Sequence, residues 1–286
     1  MSFPKVIVSM TSYPARFEAA AKALEPLFRQ SVSPDSVQLW LAEDEVSSKN
    51  DLPGSLADLE RVGLEIKWCK RSLKPHNKYF WAMQENPDDI IVTIDDDIVY
   101  SLSLLQDLLE AHYRHPGAVI ARRTHLVTRN GEGAIAPYQD WVLEQAGIRG
   151  VPRHDLLATG VGGVLYPPGI FDEDVFGEQD VRDTSLMADD LWLLIHELRL
   201  GVPVVSTDVH AGLTYVDGTQ EDGLYLENLV KGRNNEILGT LFERYPESEN
   251  LLHQAISERE FQTASAVDDR EGAGIARRAA RRLLGR

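Results

Sequence analysis

Ile90, Ile91, Val92, Thr93 and Ile94 run directly into Asp95, Asp96 and Asp97. A short β-branched, apolar run bounded by polar residues predicts a buried strand. It delivers three carboxylates where that strand leaves the core. Side chains alternate along an extended segment, so Asp95 and Asp97 are expected on one face and Asp96 on the other. Two carboxylates on one face at a strand's carboxyl end suit a hard divalent cation that leaves its remaining positions to water and substrate phosphates. The alternative is an acidic surface turn. At an effective dielectric of ~20, two charges ~5 Å apart repel by ~3 kcal/mol, which favours a cation here.

A second acid pair, Asp189-Asp190, precedes Leu191, Leu194, Ile195 and Leu198, the spacing of a buried helix face. An aspartate in a first turn can satisfy free N–H groups and complement the helix dipole. Capping accounts for one acid, and a general base in a cleft is a role for the other. Lys74, His76, Asn77 and Lys78 form a basic connector that could meet a diphosphate or an acceptor anion, or remain solvated. His210 follows a strand-like run and could complete a metal's shell, although a lone histidine is more often structural. Gly160-Val161-Gly162-Gly163 does not fit a dinucleotide fingerprint, because Leu165 stands where the third glycine belongs and Pro167-Pro168 follows. A tight strand edge that a ligand or sugar can approach closely is the better reading. No Gly-Lys-Ser/Thr is present, which removes P-loop chemistry.

These residues need a scaffold, and 286 residues at 43% hydrophobic content can build one. Strand-like runs (Val6 to Met10, Val37 to Leu41, Leu64 to Trp68, Ala118 to Ala121, Val202 to Ser206) alternate with helical patterns (Phe17 to Arg29, Tyr79 to Gln84, the Leu104/Leu105/Leu108/Leu109 stripe, Leu191 to Leu200). This alternation predicts an α/β fold with a largely parallel sheet. The stretch from Arg129 to Asp155 is polar and poorly periodic, which suggests an excursion over the active face or a mobile lid. After Pro246 the chain reads as helical, then as disordered from about Ser265.

The formal charge of −16 argues against nucleic acid as a partner. No apolar run reaches membrane-spanning length, and the single cysteine, Cys69, excludes an intramolecular disulfide. A cytoplasmic setting is expected. The segment from Ile275 to Arg286 carries five arginines and no acid, and could lie on an anionic membrane surface as a short amphipathic helix. A solvated tail is the alternative.

Together the residues resemble a family-2-like, GT-A-fold glycosyltransferase of the bacterial surface-polysaccharide type. The resemblance runs from Val6 to about Tyr245. It is carried by Val8-Ser9-Met10-Thr11-Ser12-Tyr13-Pro14-x-Arg16, by Leu41-Ala42-Glu43-Asp44-Glu45 and by Lys74 to Lys78. Thr93-Ile94-Asp95-Asp96-Asp97, Thr159-Gly160 to Tyr166, and Asp189-Asp190-Leu191-Trp192-Leu193 complete it. It implies a GT-A (Rossmann-like) domain over 1–250 and a helical, basic and partly disordered tail over 251–286. The donor nucleotide would meet Thr11, Tyr13, Arg16, Glu43, Asp44, Lys78, Asp95 and Asp96. Asp95, Asp97 and His210 would hold Mn²⁺ or Mg²⁺. The acceptor would lie against Gly160, Gly162, Gly163 and Trp192, with Asp190 as base and Asp189 capping the helix or orienting the acceptor. The implied reaction is inverting transfer of a sugar from a nucleotide-diphosphate donor to a hydroxyl of a saccharide or lipid-linked acceptor. Three other readings share parts of this pattern: a retaining GT-A enzyme, a sugar nucleotidyltransferase and a non-catalytic carbohydrate-binding protein. The nucleotidyltransferase class resembles a Gly-rich amino-terminal loop with an early Arg, whereas Ser9 to Arg16 contains no glycine.

Overall fold

The computed structural model describes residues 3–46, 48–208, 212–219 and 232–263. His210 and the basic segment from Ile275 to Arg286 lie outside them. In chain order the elements are β1 (Val6–Thr11), α1 (Phe17–Leu24), β2 (Ser36–Ala42), α2 (Gly54–Arg61), β3 (Leu64–Cys69), α3 (Asn77–Glu85), β4 (Ile90–Thr93), α4 (Leu104–Arg114) and β5 (Val119–Ala121). There follow β6 (Thr124–Leu126), β7 (Leu156–Ala158), β8 (Val164–Tyr166), α5 (Glu178–Thr184), α6 (Asp189–Leu200), β9 (Val204–Ser206) and α7 (Arg233–Arg244). A last helix spans residues 246–263.

Seven strands form one sheet in the order β3-β2-β1-β4-β8-β5-β9, parallel except for β8, which runs antiparallel to both its neighbours. A separate pair, β6 and β7, is antiparallel. The alternation of apolar residues explains the layering. Val8, Met10, Leu39, Val92 and Ile94 face α1, α2 and α4, while Ile7, Trp40 and Ile91 face α3 on the other side. Helix α6 is buried nearly all round, because α7 and the last helix cover its outer side with Ile237, Leu238, Leu241, Leu252 and Ile256. Leu252 and Ile256 therefore belong to the same core as α6, and the boundary expected at 250 falls inside this helix.

Strand order reverses between β1 and β4. The chain steps outward from β1 to β2 and β3, then returns to place β4 on the other side of β1. In open α/β sheets the crevice at such a point, outside the carboxyl ends of the strands, is where ligands sit. Here it receives the loop after β1 and the aspartates after β4.

Three expectations need correction. The helix expected from Phe17 to Arg29 stops at Leu24 and tightens into a 3-10 turn over Glu25–Arg29, since Pro26 has no N–H to continue the ladder. The Arg129–Asp155 excursion is packed, not free. Tyr138 and Trp141 stack at 4.7 Å inside the core, and the fully buried Asp155 pairs with Arg153 at 2.7 Å and with Arg259 of the last helix at 2.9 Å. Strand β4 ends at Thr93, so Asp96 and Asp97 lie in a turn, where strand alternation no longer applies.

Candidate active site

The acid turn is held on three sides. Tyr100 Oη accepts from the backbone N–H of Asp95 at 2.8 Å and donates to the carbonyl of Val161 at 3.2 Å. Ser12 Oγ donates to Asp96 Oδ2 at 2.6 Å. Arg16 Nη1 bridges Asp96 Oδ1 at 3.1 Å and Asp97 Oδ2 at 3.0 Å, and its Nη2 donates to the carbonyl of Thr219 at 3.1 Å. Asp96 and Asp97 thus converge on one guanidinium, while Asp95 turns to a different cation. Burial pushes the Asp96 carboxyl up to about 6 against the pull of Ser12 and Arg16. Burial opposes the Arg16 charge, but Asp96 and Asp97 outweigh it and the guanidinium is held charged.

The second acid pair reaches the same place through Lys78. Its side chain is 5% exposed, and its Nζ lies 2.7 Å from Asp95 Oδ1 and 2.9 Å from Asp189 Oδ2. One ammonium therefore joins the end of β4 to the start of α6. The contact to Asp189 is an ion pair without hydrogen-bond geometry, since Asp189 Oδ2 accepts no hydrogen bond from the described residues. Asp190 Oδ1 accepts from the backbone N–H of Gly160 at 3.1 Å. A Cβ on Gly160 would stand 2.6 Å from Lys78 Nζ, 3.3 Å from Asp95 Oδ1 and 3.4 Å from Asp190 Oδ1. The glycine is what allows the two acid groups to close on the lysine.

The two acids of α6 are electrostatically unlike. Burial raises both, but the Lys78 ammonium brings Asp189 below the usual carboxylate range. Asp190 is driven well above it, first by burial and then by the charge of Asp189. Asp189 is buried and Asp190 is half-buried. An ionised, lysine-bound carboxylate thus stands beside an accessible one of raised basicity, the combination a general base near neutral pH requires. Neither acid caps α6. The N-cap position belongs to Ala188, which makes no side-chain cap hydrogen bond.

The other expected residues divide. Thr11 donates from Oγ1 to the carbonyl of Trp40 at 2.8 Å at the mouth of the crevice. Tyr13 is exposed on the rim, with the Arg16 guanidinium 6.0 Å from its ring centre. Glu43 and Asp44 are exposed just past β2, where Asp44 Oδ1 accepts from the N–H of Ser72 at 2.9 Å. The basic connector is not a cluster of free cations. Lys74 pairs with Glu45 at 2.6 Å, and His76 is fully buried, held between Tyr79 Oη at 3.0 Å and the Ser185 carbonyl at 2.9 Å. Burial lowers His76 to about 4, so it is a neutral structural residue.

Three acceptor-side expectations are corrected by packing. Trp192 is 0% exposed and donates from Nε1 to the Val175 carbonyl at 3.0 Å, so it is core. Gly162 and Gly163 are glycines because Arg123 and Leu104 occupy the space of their side chains, with Cβ positions 2.6 Å and 2.7 Å from those neighbours. Only Gly160 opens onto the acids. Ser12, Tyr100 and the bridging role of Lys78 were missed. Ser12 stands in the loop after β1 and Tyr100 a few residues past the acid turn, but neither spacing announces its partner.

Among the described residues no three metal-binding side chains converge. A cation that keeps most of its shell for water and phosphate needs only one or two carboxylates. Asp95 and Asp97 each offer one oxygen that accepts no hydrogen bond from the described residues, the second oxygen being taken by Lys78 or Arg16. Among the described residues the cations paired with Asp95, Asp96, Asp97 and Asp189 are Arg16 and Lys78, so these four carboxylates carry an excess of negative charge that a divalent ion would offset. The donor set fits Mg²⁺ or Mn²⁺.

No protein-family model matches the chain, and no curated protein does either. Among solved structures it is similar to a mannosyltransferase from Pyrobaculum calidifontis in complex with GDP-Man and Mn²⁺, with a TM-score of 0.51 and 14% identity, covering 98% of this chain and 81% of that one. It is also similar to a CMP:2-keto-3-deoxy-manno-octonic acid synthetase complexed with CTP (TM-score 0.46, 11% identity, 81% of this chain and 99% of that one). A 4-diphosphocytidyl-2C-methyl-D-erythritol synthase gives a TM-score of 0.44 at 11% identity, with 80% of this chain and 99% of that one covered. The last two fall below the first in TM-score and add nothing to the assignment. The chain has the α/β, GT-A (Rossmann-like) fold, with Asp95, Asp96 and Asp97 just past the carboxyl end of β4 and Asp189 and Asp190 at the start of α6.

Proposed function

We propose that this chain is a metal-assisted, inverting glycosyltransferase of the family-2-like, surface-polysaccharide type. It moves a sugar from a nucleotide-diphosphate donor to a hydroxyl of a saccharide or lipid-linked acceptor. The observation that supports this reading is the ammonium of Lys78 shared between Asp95 and Asp189 at 2.7 and 2.9 Å, which brings the acid turn after β4 and the acid pair of α6 together. Transfer needs both: one group of carboxylates for the leaving diphosphate's counter-ion and another to take the acceptor proton.

Thr11, Tyr13, Glu43 and Asp44 lie at the ends of β1 and β2, where the nucleotide would rest. Asp95 and Asp97 would hold Mn²⁺ or Mg²⁺, which when bound neutralises the charge developing on the leaving diphosphate. His210, outside the described residues, is a further ligand on this reading. Asp190 receives the acceptor's proton. Its raised basicity comes from burial and from Asp189, which Lys78 keeps ionised. Gly160 fixes the Asp190 carboxylate through its N–H. Among the described residues no helix is long and apolar enough to cross a membrane. Contact with a lipid-linked acceptor's membrane would then fall to the basic segment from Ile275 to Arg286.

A thermal-shift panel of nucleotide sugars, with and without Mn²⁺, tests the donor half. Ligand at a hundred times its Kd stabilises by about 2.7 kcal/mol, or about 5–10 °C for a chain of this size. A shift for one nucleotide family that needs Mn²⁺ supports the reading. No Mn²⁺-dependent shift with any nucleotide sugar would sink it.

A further inference from the structure

Arg16 occupies the acid turn in the manner of a cation. A single nitrogen, Nη1, lies 3.1 Å from Asp96 Oδ1 and 3.0 Å from Asp97 Oδ2, and all three side chains are at most 16% exposed. The other end of the guanidinium holds the Thr219 carbonyl. The segment containing Thr219 is itself pinned to the turn, with Val216 N–H donating to the Asp97 carbonyl at 2.8 Å and Val99 N–H to the Thr214 carbonyl at 2.8 Å. Arg16 therefore closes the loop after β1, the acid turn and the 212–219 segment on one charge.

We propose that Arg16 is the resident counter-ion of Asp97 in the ligand-free protein, and that a divalent ion enters only when a diphosphate draws the guanidinium away. This rests on the donor and metal reading above and adds an order of events to it. A metal on Asp97 would stand beside a full positive charge already hydrogen-bonded to the same carboxylate, so the ion alone binds weakly. A diphosphate offers the guanidinium a bidentate anionic partner, frees the Asp97 oxygen and supplies further ligands to the metal. Metal and nucleotide then bind with positive coupling, and the coupling must be reciprocal. The exchange also explains why an arginine stands here: its planar fork presents one nitrogen to two carboxylates and a second to a carbonyl in one state, and both to a diphosphate in the other, which the single nitrogen of a lysine does not.

The test measures free Mn²⁺ by its electron paramagnetic resonance signal during titration of the parent, Arg16→Met, Arg16→Lys, Lys74→Met and Asp97→Ala. Each is run with Mn²⁺ alone and with GDP or UDP added, and thermal melts confirm that each variant is folded. Lys74 pairs with Glu45 outside the acid turn and controls for simple loss of a positive charge. For Mn²⁺ alone, Arg16→Met is expected to bind at least tenfold more tightly than the parent, Lys74→Met to change less than threefold, and Asp97→Ala to abolish the site. Added nucleoside diphosphate should tighten Mn²⁺ in the parent far more than in Arg16→Met. Arg16→Lys, whose ammonium cannot bridge the same acceptors, should fall between the two, and it decides the matter if Arg16→Met does not fold. An Arg16→Met protein that binds Mn²⁺ no more tightly than the parent, or a Lys74→Met protein that matches it, would overturn the exchange while leaving the donor site intact. If neither the parent nor any variant binds Mn²⁺ with either nucleotide, the donor and metal reading itself fails, and the exchange with it.

Discussion

Adding one methyl group at Gly160 tests how the two acid groups are joined. Gly160 is not among the glycines with a left-handed φ, so alanine can adopt its backbone and the cost comes from what its Cβ meets. That neighbour is Lys78 Nζ at 2.6 Å, about 1 Å closer than ordinary contact allows. The ammonium must retreat by that amount from Asp95 and Asp189, now at 2.7 and 2.9 Å. At an effective dielectric of ~20, lengthening two such ion pairs by about 1 Å loses about 3 kcal/mol before the flexible lysine relaxes. Gly160→Ala should therefore lower Tm by no more than about 10 °C and remain folded. Its transfer rate should fall about 100-fold, the usual consequence of a 1 Å misplacement of catalytic groups. The effect must also depend on Lys78. In a double-mutant cycle with Lys78→Met, the added methyl should cost little more, because groups in contact are not additive. Equal losses for Gly160→Ala in the parent and in the Lys78→Met background, by melt and by rate, would refute the claim that the ammonium is what the glycine accommodates.

Two further perturbations separate structure from chemistry. Glu197 on α6 is 2% exposed, neither of its oxygens accepts a hydrogen bond from the described residues, and burial with the charge of Asp190 pushes it up to about 8. Its folded-state value lies above the unfolded one, so the protonated acid is the stable form. Stability is complete below the ordinary value of 4.5 and is lost as pH rises toward about 8, by about 1.4 kcal/mol per unit across that window. Tm measured against pH should fall over this range in the parent and fall less in Glu197→Gln; identical slopes would remove Glu197 as the cause. Trp192→Phe should cost about 1–3 kcal/mol through lost volume and the lost bond to the Val175 carbonyl, with KM for acceptor unchanged, and a raised acceptor KM at unchanged stability would return Trp192 to the site.

The sheet was legible because its strands are short β-branched runs whose alternate residues enter opposite layers, as Val8 and Ile7 or Val92 and Ile91 do. The acids were legible for a related reason: charge at the end of such a run has no packing explanation. What the sequence could not show was pairing across distance. Lys78 read as a donor contact because nothing in its spacing reveals Asp95 and Asp189 around its ammonium. Strand alternation assigned Asp96 and Asp97 to opposite faces, but the turn that begins after Thr93 cancels it, and Arg16 collects both. Trp192 misled because the resemblance is carried by a motif that sets it two residues past the acid pair. Only the burial of α6 on every side distinguishes it from core.

On the proposed function the crevice transfers a sugar with Asp190 as the base. With the nucleotide sugar that stabilises the parent in Mn²⁺, and with the acceptor it uses, the decisive measurement is the transfer rate of Asp190→Asn against pH, with the anomeric configuration of the product read by NMR. The carboxylate must be ionised to accept a proton, so the parent's rate should fall as pH drops through the raised value of Asp190, above the ordinary carboxylate range. The asparagine variant should retain donor binding and Tm, lose about 10²–10⁴-fold in transfer and lose that pH limb. The parent's product should be inverted. Near-parental transfer by Asp190→Asn with the same pH profile, or a product that keeps the donor's configuration, would contradict the assignment.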